Sequence, residues 1–123
     1  MIFLKTAKIV VMRTFRYRDE VTGNNCHKEL METYKNQDKI FIGTHEEHQN
    51  YEQITNQKIH KYEITDFLHF ASIVNGADLV ISNQTAGFAL AMGLGKAAIL
   101  ETIKDKPIED NECYFKRLNC KYF

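Results

Sequence analysis

The stretch Ala77–Leu100, ADLVISNQTAGFALAMGLGKAAIL, decides the fold. It reads as strand, turn, helix, turn, strand. Residues 77–82 (ADLVIS) are a short apolar run of strand length. Residues 83–87 (NQTAG) are small and polar, suited to a turn and a helix start. Ala86–Leu94 is almost wholly apolar, as in a helix pressed against a sheet. Gly95 ends it, and Ala97–Leu100 (AAIL) resumes as a strand. Two apolar strands joined through a helix pair in parallel, because the crossover carries the chain back to the edge it started from.

The same alternation extends in both directions. Phe67, Phe70, Ala71 and Val74 fall at i, i+3, i+4 and i+7, the stripe of an amphipathic helix. Thr65 and Asp66 supply its cap and first-turn acid, and Gly76 is placed to close it as a left-handed cap. Further upstream, Lys8–Met12 (KIVVM) and Lys39–Ile42 (KIFI) read as strands and Lys58–Tyr62 as a short one. Leu30, Met31 and Tyr34 mark a helix over Asn25–Asn36. His45–Thr55, Glu-rich with Tyr51 and Ile54 on one side, reads as a surface helix. After Pro107 a final helix carries Cys113, Phe115 or Leu118. The expected fold is α/β: a Rossmann-like three-layer αβα domain with a parallel sheet of about five strands in the order 3-2-1-4-5.

Such sheets bind ligands at the carboxyl ends of the strands, where the winding reverses between strands 1 and 4. Strand 4 leads into Asn83, Gln84, Thr85, Ala86 and Gly87. The free N–H groups of a helix starting there favour an anion, and Thr85 can both cap the helix and reach a phosphate oxygen. Gly87 allows close approach of a ligand or of strand backbone. A plain turn that needs small residues for packing is the other reading. Strand 1 leads into Arg13, Arg16 and Arg18. With Lys5 and Lys8 these give a basic stretch that has no acid in its first 18 residues. Arginine forks match phosphate oxygens, although a basic run near a terminus is also commonly a solvated face. Gly43 and Thr44 follow strand 2. Glu101 follows strand 5, where a carboxylate either accepts ribose hydroxyls or is a surface acid. Together these loops describe a nucleotide-diphosphate pocket.

Composition agrees with a folded chain that does not coat nucleic acid. Of 123 residues, 44% are hydrophobic, and 16 basic side chains balance 16 acidic ones. No apolar run approaches the roughly 18 residues of a membrane span. The apolar opening Met1–Leu4 is too brief for a signal peptide, so the expected compartment is the cytoplasm. Cys26, Cys113 and Cys120, an odd and sparse set, read as reduced thiols.

Ile64–Glu101 resembles the nucleotide-sugar domain of GT-B glycosyltransferases, and within them the ADP-heptose glycosyltransferase group. The shared features are a Leu/Ala-rich helix, a strand ending in a polar residue, an Asn-Asp-Thr-Gly-type turn and a helix ending in Leu-Gly. Phe41-Ile42-Gly43 followed by Glu46 and Glu47 resembles the group's second strand and loop. Asn83 and Thr85 match the turn, Gln84 replaces its acid, Ala86 replaces its glycine ahead of Gly87, and Ala89 stands where the group has a histidine. The resemblance implies binding of a nucleotide-diphosphate sugar through Arg13, Arg16, Gly43, Thr44, Asn83, Gln84, Thr85, Ala86, Gly87 and Glu101. It implies no metal and no cofactor. The acceptor half and the catalytic base would come from a second domain, a partner chain or a second copy. The alternative is a binding or dimerisation module without turnover, its contact aided by Tyr114, Phe115, Tyr122 and Phe123.

Other chemistries fit less well. His45 and His48 stand three apart, not four as in a His-Glu-x-x-His zinc helix, and read as a solvated face. There is no Gly-x-Ser-x-Gly elbow and no P-loop. His60 and His69 read as structural.

Overall fold

The computed structural model describes residues 9–16, 18, 20–83, 85–102 and 120–122, the last three by backbone alone. These form six strands and four helices: β1 (Ile9–Met12), α1 (Thr22–Thr33), β2 (Lys39–Phe41), α2 (His45–Thr55), β3 (His60–Lys61), α3 (Phe67–Asn75), β4 (Leu79–Ser82), α4 (Ala86–Gly93), β5 (Ala98–Leu100) and β6 (Cys120–Tyr122). The strand order is β3-β2-β1-β4-β5-β6, with every neighbouring pair parallel. The expected order 3-2-1-4-5 is present, and β6 extends it beside β5. The expected final helix at Cys113, Phe115 or Leu118 lies outside the described residues.

Period-two alternation assigns the two faces of the sheet. Val10, Met12, Ile40, Val80, Ala98 and Leu100 pack with Ile73, Val74, Phe88 and Ala91 of α3 and α4. Ile9, Val11, Phe41 and Ile81 pack with Met31 of α1 and Tyr51 of α2. Right-handed crossovers on either side of β1 produce this division. Each fully buried Ile, Val or Phe contributes about 1.5–3 kcal/mol relative to exposure.

Local differences from the expected elements have identifiable causes. Helix α1 begins three residues before the expected Asn25. Gly23 and Asn24 sit inside its first turn, and a Cβ at 23 would run into the Glu101 and Arg13 side chains below it. Gly76 closes α3 in right-handed geometry (φ −83°), its N–H bonded to Ser72 O, so no left-handed cap is needed. Among the described residues the left-handed ones are Asn56, which closes α2, and Gly95, which follows α4. Among the described residues no helix is long and apolar enough to cross a membrane.

Candidate functional site

Because the strands are parallel, the β1–α1 loop (residues 13–21) and the β4–α4 turn (residues 83–85) emerge side by side at one edge. Asn83 joins them. Its side chain is fully buried and accepts from the Thr14 N–H at 3.1 Å. Its amide donates to Thr14 O at 3.0 Å and Arg16 O at 2.7 Å. Asn83 is thus a staple across the winding reversal. Asn83→Ala leaves these buried backbone groups unpaired and should cost about 1–3 kcal/mol in urea unfolding. Asn83→Asp should cost a similar amount, because a carboxylate would face two carbonyl oxygens.

Thr85 caps α4, its hydroxyl accepting from Phe88 N–H at 3.3 Å and lying 3.2 Å from Ser82 Oγ. Ala86 opens the helix at the surface and Gly87 is buried beneath it. A Cβ on Gly87 would run into Met12 Sδ and lie 3.1 Å from Phe70, so any larger residue there would require the Met12 side chain to move aside. Gln84 lies outside the described residues. Thr44 closes a capping box on α2: its hydroxyl accepts from Glu47 N–H at 3.1 Å and its N–H donates to the Glu47 carboxylate at 2.8 Å. A Cβ on Gly43 would lie 2.8 Å from that same carboxylate.

The arginines divide by position. Arg16 is exposed. Arg18 lies over the Phe15 ring, 4.8 Å from its centroid, and bonds Glu20 and Asn50 at 3.0 Å each. Arg13, expected at the rim, is buried. Its guanidinium meets Glu101 at 2.8 and 2.7 Å and Asn24 Oδ1 at 2.6 Å. Glu101 is neither a surface acid nor open to the rim; its side chain is 0% exposed. The pleat explains both placements. Arg13 shares the face of Val11, and Glu101 that of Ile99, so both point under α1.

There they meet residues that sequence reasoning missed. Gly23, His27 and Met31 are the buried positions of α1, spaced four apart. His27 lies 2.9 Å from Glu101 Oε1 through Nε2 and 2.8 Å from Tyr51 Oη through Nδ1. Because a carboxylate only accepts, Nε2 donates and Nδ1 accepts the tyrosine proton. Burial draws the His27 pKa below its ordinary value of 6.5, a shift only partly offset by the bond to Glu101, so the ring is neutral. Burial pushes the Tyr51 phenol well up, keeping it protonated. Burial alone would raise Glu101, but the hydrogen bonds from Arg13 and His27 outweigh it and hold the carboxyl below its usual range. The spacing of Gly23, His27 and Met31, set against polar residues directly after two apolar strands, was the available signal.

His48 spends Nε2 on Ile59 O at 2.7 Å, and His69 Nδ1 accepts from Thr65 N–H at 3.1 Å. His60 is exposed. Among the described residues no group of three or more His, Cys, Asp or Glu side chains is arranged to hold a metal ion.

No protein-family model matches the chain, and no curated protein does. Among solved structures the chain is similar to E. coli heptosyltransferase WaaC with ADP-2-deoxy-2-fluoro heptose, at a TM-score of 0.68 and 14% identity. The fold is glycosyltransferase-like. The match covers 97% of this chain but only 37% of that one. At that identity the likeness is one of backbone architecture, and the chain's length corresponds to part of the transferase.

Proposed function

We propose that residues 1–123 act as a single nucleotide-diphosphate-sugar-binding domain, the donor half of a cytoplasmic GT-B-type glycosyltransferase. The observation that carries this reading is the Asn83 staple. It fixes the loop bearing exposed Arg16 against the turn leading into the Thr85-capped start of α4. A diphosphate seated there would meet the N–H groups of Ala86 and Gly87, the Thr85 hydroxyl and the Arg16 guanidinium. Charge growing on a leaving diphosphate would be met by fixed donors and a helix dipole. Arg13 and Glu101 would shape this rim from below rather than touch the ligand. Gly43 and Thr44 would act by holding the start of α2. Gln84 would lie on the same turn. The acceptor and the base would come from a second domain, a partner chain or a second copy. That WaaC was solved with an ADP-sugar analogue supports this choice of ligand class.

The test is calorimetric titration with ADP, other nucleoside diphosphates and ADP-sugars. Binding should weaken roughly ten- to a hundredfold in Arg16→Ala, which loses a charge-assisted bond of about 1.5–3 kcal/mol, and also weaken in Thr85→Ala. No binding to any of these ligands at millimolar concentration would sink the proposal.

One observation favours the alternative, a non-catalytic binding or dimerisation module. Phe15, Val21, Phe67 and Leu68, 50–77% exposed, all lie in loops or helix starts at the carboxyl edge of the sheet. A concentration-dependent dimer in sedimentation, lost on Phe67→Ser with Leu68→Ser, together with no donor hydrolysis, would select it.

A further inference from the structure

The buried chain Tyr51–His27–Glu101–Arg13 does more than fill space under α1. Glu101 is the common partner of both ends of the β1–α1 loop. Arg13, the residue that opens the loop, binds both of its oxygens. His27, one turn into the helix that ends the loop, binds Oε1. Asn24 adds a direct tie from α1 to Arg13. Between these ends the loop carries Arg16.

We propose that this chain is a proton-sensitive clasp on the β1–α1 loop, closed while His27 is neutral and loosened when His27 gains a proton. Among the described residues, the charged and titratable groups facing His27 are Arg13 just after β1, Arg18 further along the same loop, Glu101 just after β5 and Tyr51 of α2. With neutral His27 the buried Arg13–Glu101 pair balances to zero. A proton on Nδ1 adds a buried positive charge beside two arginines. It also turns the acceptor of the Tyr51 proton into a second donor, so that bond must break or reverse. The carboxylate must then be shared between Arg13 and an imidazolium.

The sign follows from the direction of the His27 shift. The unfolded or opened imidazole takes a proton near 6.5 and the closed one at lower pH. Closure is therefore fully favoured above about pH 6.5 and is lost as pH falls through that window. Glu101, itself lowered from 4.5, remains a carboxylate there.

Hydrogen exchange followed by NMR reads the clasp without any ligand. The Thr14 amide, bonded to Asn83, and the Asn25 amide, bonded to Val21 O, report its two ends, and Val80, bonded to Ala97 O, reports the core. Going from about pH 7.5 to about pH 5.5, protection at Thr14 and Asn25, corrected for intrinsic rates, should fall by up to about tenfold, the limit for one proton, with Val80 changing far less. His27→Gln should abolish the pH dependence. Tyr51→Phe keeps the imidazole but removes the donor that favours its neutral form, so the closed-state pKa moves back toward its ordinary value and the pH-dependent loss of protection should shrink, with its onset unchanged. Imidazole nitrogen shifts should show the Nε2–H tautomer at neutral pH. The clasp is refuted if His27 becomes protonated by these shifts while Thr14 and Asn25 keep their protection, or if they lose it only together with Val80.

Control of the anion site by this clasp rests on the nucleotide reading. ADP affinity should fall with the same pH step in the wild-type chain. Because ADP itself titrates nearby, the measurement is the difference from His27→Gln. Loss of protection without ADP binding at any pH would overturn the nucleotide reading and uphold the clasp. ADP binding with steady protection would overturn the clasp alone.

Discussion

Glu101→Ala should lower the free energy of unfolding by about 3–5 kcal/mol, the cost of leaving one member of a buried ion pair without its partner. Arg13 is 2% exposed and cannot give up its proton, so the lone charge has no way to neutralise itself. His27 Nε2–H loses its acceptor in the same step. A domain of this size has only about 5–15 kcal/mol of stability in total, so the shift in the urea midpoint should be large. A change below about 1 kcal/mol would mean that the cluster is solvated in solution and would overturn this account of it. Arg13→Met combined with Glu101→Leu should recover most of the loss, because apolar replacement of a buried pair is often neutral. The recovery should remain incomplete, since His27 Nε2–H still lacks the acceptor that Glu101 supplied. Full recovery would show that His27 contributes little to the fold.

Much of the backbone was legible in the sequence because β1, β2, β4 and β5 are short, largely apolar runs with recognisable turns between them; β6 carries no such run and was not expected. The run LVIS and the Thr85 cap placed β4 and α4 to within two residues. The side chains of the site were less legible, for a specific reason. Arg13 and Glu101 each follow the last residue of a strand, where a loop residue and a strand residue look alike in sequence. If the extended backbone continues by one residue, alternation turns the side chain under a helix; if it stops, the side chain reaches the rim. Both continue, so two expected ligand contacts became a buried pair. His27 could be weighed in sequence only as a metal ligand beside Cys26, because a lone histidine on a polar helix shows its buried role only when Gly23 and Met31 are read on the same face. Gly76 shows the converse limit: its position was legible, but its right-handed φ was not, because the helix closes through the bond from its N–H to Ser72 O.

The placement of the arginines changes what the basic stretch can do. Read linearly, Arg13, Arg16 and Arg18 form one positive patch. In the fold, Arg13 is spent on Glu101 and Asn24, and Arg18 on Glu20, Asn50 and the Phe15 ring. At least two cations of this loop thus fix its own course. In the proposed anion site, a loop held in this way would reduce the ordering cost that a mobile segment carries into binding.

Gly23→Ala should be destabilising where the same change in an ordinary helix would stabilise. A methyl group at 23 would overlap Glu101 Oε2 and lie 2.8 Å from Arg13 Nη2. These atoms are the tips of side chains, but they are held in a buried pair and cannot swing aside without separating the charges. The cost therefore approaches the about 3–5 kcal/mol of a broken pair. It is reduced by the about 0.5–1 kcal/mol that alanine gains over glycine in a helix, leaving a net loss of roughly 2–4 kcal/mol. The decisive measurement is the double variant. In a Glu101→Ala background the methyl enters volume that the carboxylate has vacated, so the second substitution should cost little or restore some stability. The coupling between the two sites should therefore be about 2–4 kcal/mol in favour of the double variant, at or above the upper end of the range usual for residues in direct contact. Strict additivity would mean that Gly23 is constrained by its backbone rather than by the ion pair, and the close fit of α1 over Arg13 and Glu101 would then need another cause.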